Sequence, residues 1–133
     1  MAALIPLLKN KIILACAVNG FFVVALGAFG AHALEASLSE EMIAVYQTGV
    51  QYHMFHIVGM LLCLVLITHA NSYNLVKWAF ISFLSGIIIF CGSLYVLAVT
   101  SFSMLGMITP IGGVLFLVGW FLLAITVLKK DAA

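Results

Sequence analysis

Three stretches of this chain, residues 12–34, 42–76 and 78–128, contain no charged side chain at all. A helix rises about 1.5 Å per residue and the hydrocarbon of a bilayer is about 30 Å thick, so about 20 apolar residues make one crossing. Turn signals divide the stretches further. The polar run Ala70-Asn-Ser-Tyr-Asn74 interrupts one, and an uncharged loop ending at Thr109-Pro110 interrupts another. Four crossings are predicted, at about 12–34, 49–69, 75–99 and 110–128, with residues 1–11 as an interfacial lead-in. The charges that do occur sit at the ends of these segments.

Composition removes the soluble alternative. Only 7% of residues are charged and 66% are hydrophobic, against about 25% charged in ordinary globular chains. Such a surface needs lipid as its solvent, so the first expected partner is the bilayer. Nucleic acid is excluded by the same counts, because five lysines divided between the chain ends and one turn make no basic face. The fold class expected is all-α, a single membrane domain over 1–133 built as a four-helix transmembrane bundle.

Lysine placement orients it. Lys9 and Lys11 precede the first crossing, Lys77 follows the second, and Lys129 and Lys130 follow the fourth, while Glu35, Glu40 and Glu41 lie between the first two. Four crossings put all five lysines on one side, and the positive-inside rule makes that side cytoplasmic, with both termini. Lys9, Lys11 and Ala31-His32-Ala33 also fit a secretory signal with an A-x-A cleavage site. The apolar run is long for a signal core, and its glycines suit permanent packing.

Small residues fall in stripes along the crossings. Cys16, Gly20, Gly27 and Ala31 mark the first, Ser82, Gly86 and Ser93 the third, and Gly112 and Gly119 the fourth. Such stripes let helices approach closely, within one chain or in a homo-oligomer or other membrane-protein partner. Asn19 lies in the first crossing and should face protein, since an amide facing lipid costs roughly several kcal/mol. Cys16, Cys63 and Cys91 each sit in an apolar run with no C-x-x-C spacing, and read as small buried hydrophobes.

The acidic stretch holds Ser37-Leu-Ser-Glu40, a capping-box pattern that would start a helix near Leu38. Leu38, Met42 and Val45 then share a face, which predicts a short amphipathic helix on the membrane surface between crossings one and two, with its continuation through Gly49 into the second crossing left open by the pattern. Thr109-Pro110 reads as the start of the last helix, Thr as N-cap and Pro in the first helical position.

Given this topology, every crossing delivers hydrogen-bonding groups to its outer third. His32 ends the first, and Gln51, Tyr52, His53 and His56 open the second. Ser93 and Tyr95 lie near the outer end of the third, and Thr109 starts the fourth. Ionisable residues at membrane depth are candidates for function. Three roles compete for this cluster. It ties the bundle together through interhelical hydrogen bonds, with or without a small ligand or partner. It serves a proton-linked or small-solute transporter, since histidine relays protons near neutral pH. Or His53 and His56, sharing a helix face, hold a metal or haem, with His32 as a third nitrogen. No carboxylate lies in any crossing, and no G-x-S-x-G, P-loop or H-E-x-x-H pattern occurs, so neither a catalytic residue nor a cofactor is expected. His69, beside Thr68 at the inner interface, reads as solvated, and Trp120 as a packing residue.

Several motifs together resemble a known family. They are GAFGAHAL (27–34), Y-x-x-G-x-Q-Y-H-x-x-H (Tyr46, Gly49, Gln51, Tyr52, His53, His56), F-C-G-S-L-Y (90–95), T-P-I-G-G (109–113) and Gly119-Trp120. In order and spacing, from about Lys11 to Leu128, they resemble domain-of-unknown-function family 423. These are small integral membrane proteins related to the eukaryotic transmembrane-protein-256-like group. The resemblance implies a four-helix protein of a bacterial inner membrane. It implies no activity.

Overall fold

The computed structural model describes residues 4–67 and 73–131. Four helices account for nearly all of them, α1 (Leu4–Leu34), α2 (Glu40–Leu66), α3 (Tyr73–Thr100) and α4 (Leu105–Asp131), and no strand occurs among the described residues. All four are long and apolar enough to cross a membrane. The predicted all-α, four-helix architecture holds. His69 and most of the 70–74 turn lie outside the described residues.

Pairings across the helices run in opposite senses and establish an up-down-up-down order. Between α1 and α2, Leu26 meets Tyr46 and Asn19 meets His53. Between α2 and α3, Gly49 meets Tyr95 and Gly59 meets Phe83. Between α3 and α4, Ser93 meets Thr109 and Phe83 meets Gly119. Lys9, Lys11, Lys77 and Lys129 therefore share one end of the bundle and the three glutamates the other.

The bundle is not four equivalent walls. The α3 helix is its centre, packed broadly against both α2 and α4, while α1 leans mainly on α2. The contact between α2 and α4 is slight, and this opens a valley over α3. The main core fills the lysine end and middle with Ile12, Met60, Cys63, Ile67, Val76, Phe83 and Cys91. All three cysteines are free and buried, as small hydrophobes in that core should be.

Glycine decides the α3–α4 seam. Gly112 lies directly on the Phe90 main chain, Gly86 on the Phe116 ring and Gly119 on the Phe83 ring. The small-residue stripes of α3 and α4 are thus used within the chain. On α1 only Gly27 among the predicted glycines has a neighbour, Val50, whereas Gly20 faces open space. Gly30, outside the predicted stripe, makes the tightest α1–α2 approach, over the Tyr46 ring. There α1 widens into a π-type turn, Gly30–Leu34, and α3 has a second one at Ile87–Cys91.

Three expected helix starts move, and the first is that of α1, which begins at Leu4 and takes residues 4–11 of the expected lead-in into its first turns. The acidic stretch forms no separate surface helix. Ser37 Oγ turns back to the Leu34 carbonyl at 3.2 Å, and Ser39 becomes the N-cap, accepting from Met42 N at 3.3 Å. Glu40 and Glu41 occupy the first turn of α2, where acidic side chains favour the positive end of the helix. Gly49 does not break the helix, because its missing side chain is the seat of the Tyr95 ring. Likewise α4 begins at Leu105, not at Pro110. Leu105, Gly106 and Met107 close its first turn with i→i−3 bonds to Phe102, Ser103 and Met104. The helix thus starts at the tight turn after Ser101, and Pro110 lies inside it.

Candidate functional site

The expected single polar cluster divides into three arrangements, each with a different neighbourhood. Counted from the observed start of α2 at Glu40, His53 and His56 lie about 20 and 24 Å down the helix at 1.5 Å per residue. They are mid-helix residues of the observed α2, where the sequence count put them in the first turns of a shorter helix. The difference follows from α2 absorbing the acidic stretch.

The first arrangement joins three helices. His53 Nε2 is 3.0 Å from Asn19 Oδ1, and His53 Nδ1 is 3.1 Å from the Tyr95 hydroxyl. Asn19 Nδ2 donates to the Ala15 carbonyl at 2.8 Å, which leaves Oδ1 as an acceptor. The proton of neutral His53 is therefore on Nε2, donated to Asn19, and Nδ1 accepts from Tyr95. Every polar atom of the buried imidazole has a partner. Nearby, the Tyr46 hydroxyl donates to the Leu26 carbonyl at 2.7 Å, a second bond from α2 to α1.

The second arrangement pins α3 to α4. The hydroxyls of Ser93 and Thr109 are 2.8 Å apart, and each also lies near a carbonyl of its own helix, Phe90 at 2.9 Å and Leu105 at 3.2 Å. Thr109 is thus a helix-to-helix clasp rather than an N-cap.

The third arrangement surrounds His56, which is only 3% exposed. Its Nδ1 lies 2.7 Å from the Tyr52 carbonyl, an acceptor, so the proton is on Nδ1 and Nε2 carries a lone pair. The two histidines, one helical turn apart, hold opposite tautomers. The His56 ring stacks on Phe116 with centroids 3.4 Å apart and planes 6° apart, and Phe55 and Trp120 stand at its edge and side.

His56 lies in the wall of the valley between α2 and α4. This groove has a volume of ≈ 1030 Å³ and is lined from α2 by Gln51, Tyr52, Phe55 and His56, from α3 by Phe90, and from α4 by Pro110, Phe116 and Trp120. Met54, Val58, Val114 and Leu117 at its rim are all exposed, so it opens sideways from the bundle. Gln51 sits at its outer end, exposed, and Tyr52 stacks on Phe90 with centroids 4.7 Å apart.

Placement of the sequence candidates is therefore uneven. Tyr95 and His53 come together, as do Ser93 and Thr109, while Gln51, Tyr52 and His56 share the groove. His32 is exposed in the last turn of α1 and joins none of them. The metal reading loses its geometry, since both nitrogens of His53 are engaged and no group of three His, Cys, Asp or Glu gathers among the described residues. Asn19 is the partner that the outer-third count leaves out. Its signal is present, an amide in an apolar crossing that must find protein. The Phe116–Trp120 side of the groove gives no such signal, because i, i+4 aromatics on a membrane helix read equally as packing or lipid contact.

These features define a polytopic helical membrane protein with an apolar core, a few buried interhelical hydrogen bonds and a lateral groove. Comparison with known proteins gives its kin. The family model described as "Protein of unknown function (DUF423)" matches residues 26–113, and the chain belongs to that family. It is 42% identical to UPF0382 membrane protein YwdK of Bacillus subtilis over 113 residues, 85% of this chain and 92% of that one. Identity to UPF0382 membrane protein SERP0230 of Staphylococcus epidermidis is 47%, over 85% of this chain and 91% of that one. A Haemophilus influenzae UPF0382 membrane protein is 42% identical over 88% of this chain and 93% of its own length. No solved structure matches.

Proposed function

We propose that this protein is a non-enzymatic receptor for a small lipid-soluble molecule, taken up sideways from the bilayer into the groove between α2 and α4. In this reading the polar groups divide the labour. The Asn19–His53–Tyr95 chain and the Ser93–Thr109 clasp hold the helices in register, and Gln51, Tyr52 and His56 meet the ligand. The observation that carries it is the groove itself, a concave aromatic space of ligand size with few polar groups, open at the depth where only membrane-dissolved molecules arrive.

Transport by the same histidines has less support. Both nitrogens of His53 and Nδ1 of His56 are committed to protein partners, so relaying a proton would require this network to exchange its bonds. The protein would lie in the bacterial cytoplasmic membrane with both termini inside, which the shared lysine end supports.

The test is retention of a native molecule. Protein extracted into native-lipid particles and released into a mass spectrometer should carry a bound small molecule. Val114→Trp, which places a bulky ring at the exposed rim, should lose it while keeping its helical circular dichroism. A wild-type protein that retains nothing beyond bulk phospholipid refutes the reading.

A further inference from the structure

We infer that the groove selects hydrogen-bond donors, and that its ligand class is a flat aromatic ring bearing a free hydroxyl, a phenol or hydroquinone with an apolar tail. The inference rests on the groove reading above and narrows it.

The reasoning starts from His56. Its Nδ1–H is occupied by the Tyr52 carbonyl at 2.7 Å, so Nε2 can only accept. No protein donor reaches Nε2 among the described residues. Yet no buried side-chain nitrogen or oxygen among them lacks a partner, so Nε2 is not sealed in. The open space that His56 borders is the groove. At mid-helix depth, lipid offers only hydrocarbon, which cannot donate to it. A ligand hydroxyl can. An ether or ketone, with acceptors alone, leaves the nitrogen unpaired, and sites built around one hydrogen bond discriminate on that basis.

The rest of the groove fits the rest of such a molecule. Tyr52, Phe55, Phe116 and Trp120 offer ring faces and edges to a planar aromatic. The exposed rim at Met54 and Leu117 lets an alkyl tail leave into the bilayer. The His56 ring cannot swing freely to offer its other nitrogen, being stacked on Phe116 at 3.4 Å and bonded to its own helix.

The experiment compares 4-hexylphenol with 4-hexylanisole, its O-methyl ether, on the full chain in lipid nanodiscs. Trp78→Phe leaves Trp120 as the reporter of binding by fluorescence. The phenol should bind about tenfold more tightly than the ether, the size of one hydrogen bond made in an apolar site. His56→Phe keeps a ring to stack on Phe116 and should bring the two to equal affinity. A readout that needs no variant comes from histidine labelled with nitrogen-15. The unprotonated Nε2 resonance of His56 should shift on adding the phenol and stay still with the ether. Equal binding of both by the wild-type protein, or a His56 protonated at Nε2, overturns the donor rule and leaves the groove reading standing. Binding of neither overturns this inference, while the groove reading stands or falls on the retained native molecule.

Discussion

Replacing Gly112 with alanine should force the third and fourth helices apart. The new methyl carbon would fall 2.7 Å from Cβ and 2.8 Å from Cα of Phe90, and closer still to the Phe90 amide nitrogen. Relaxed carbon contacts lie at about 3.5–4.0 Å, so the seam must open by about 1 Å. The obstacle is main chain and cannot rotate away. A gap of that size forfeits about a quarter or more of the dispersion attraction between facing atoms. Overpacking costs about 1–3 kcal/mol, and a main-chain obstacle puts this case at the upper end. Alanine returns about 1 kcal/mol in helix propensity. The net loss is about 2 kcal/mol, roughly thirtyfold in the ratio of folded to unfolded protein. Gly113→Ala is the internal control, since its methyl would meet the Phe90 ring at an ordinary 3.8 Å. Both variants would be unfolded in mixed micelles by rising dodecyl sulfate and followed by far-ultraviolet circular dichroism. If Gly112→Ala proves as stable as Gly113→Ala, the close approach of α4 to α3 at Phe90 is wrong, and with it the shape of the groove floor.

Two further outcomes test other parts of the structure. Asn19→Ala leaves the Nε2–H of buried His53 without its acceptor and should cost about 1–3 kcal/mol; combined with His53→Phe the loss should be smaller than the sum, and strict additivity in the same sulfate titration would break the proposed pairing. A cysteine at Glu40 should react with an impermeant thiol reagent added to whole cells and one at Lys129 only after permeabilisation, with the buried native thiols contributing little background; the reverse pattern would invert the assigned orientation.

How far the sequence reaches differs between the fold and the site. Uncharged segments of sufficient length set the number of crossings, because each ion at membrane depth is costly. The lysines mark one end for the same reason. Gly86, Gly112 and Gly119 mark close helix approach on α3 and α4, and the contacts with Phe116, Phe90 and Phe83 meet that expectation. On α1 the same logic reaches less far, since Gly20 faces open space while Gly30 takes the Tyr46 ring. Capping patterns mislead by a few residues at Ser37 and at Thr109. A cap is a local hydrogen bond of about 1 kcal/mol, and both hydroxyls find other partners, Ser37 the Leu34 carbonyl and Thr109 the Ser93 hydroxyl and the Leu105 carbonyl.

The sequence by itself determined a four-crossing membrane protein with its cations at one end, because charge and hydrocarbon separate residue by residue without reference to neighbours. Only the tertiary structure decided which polar groups meet. His53 is closed between Asn19 and Tyr95, His32 is left outside, and His56 keeps one free nitrogen beside a groove. Those outcomes depend on helix register and rotation, and a shift of one residue turns a side chain about 100° around the axis, from a partner to lipid.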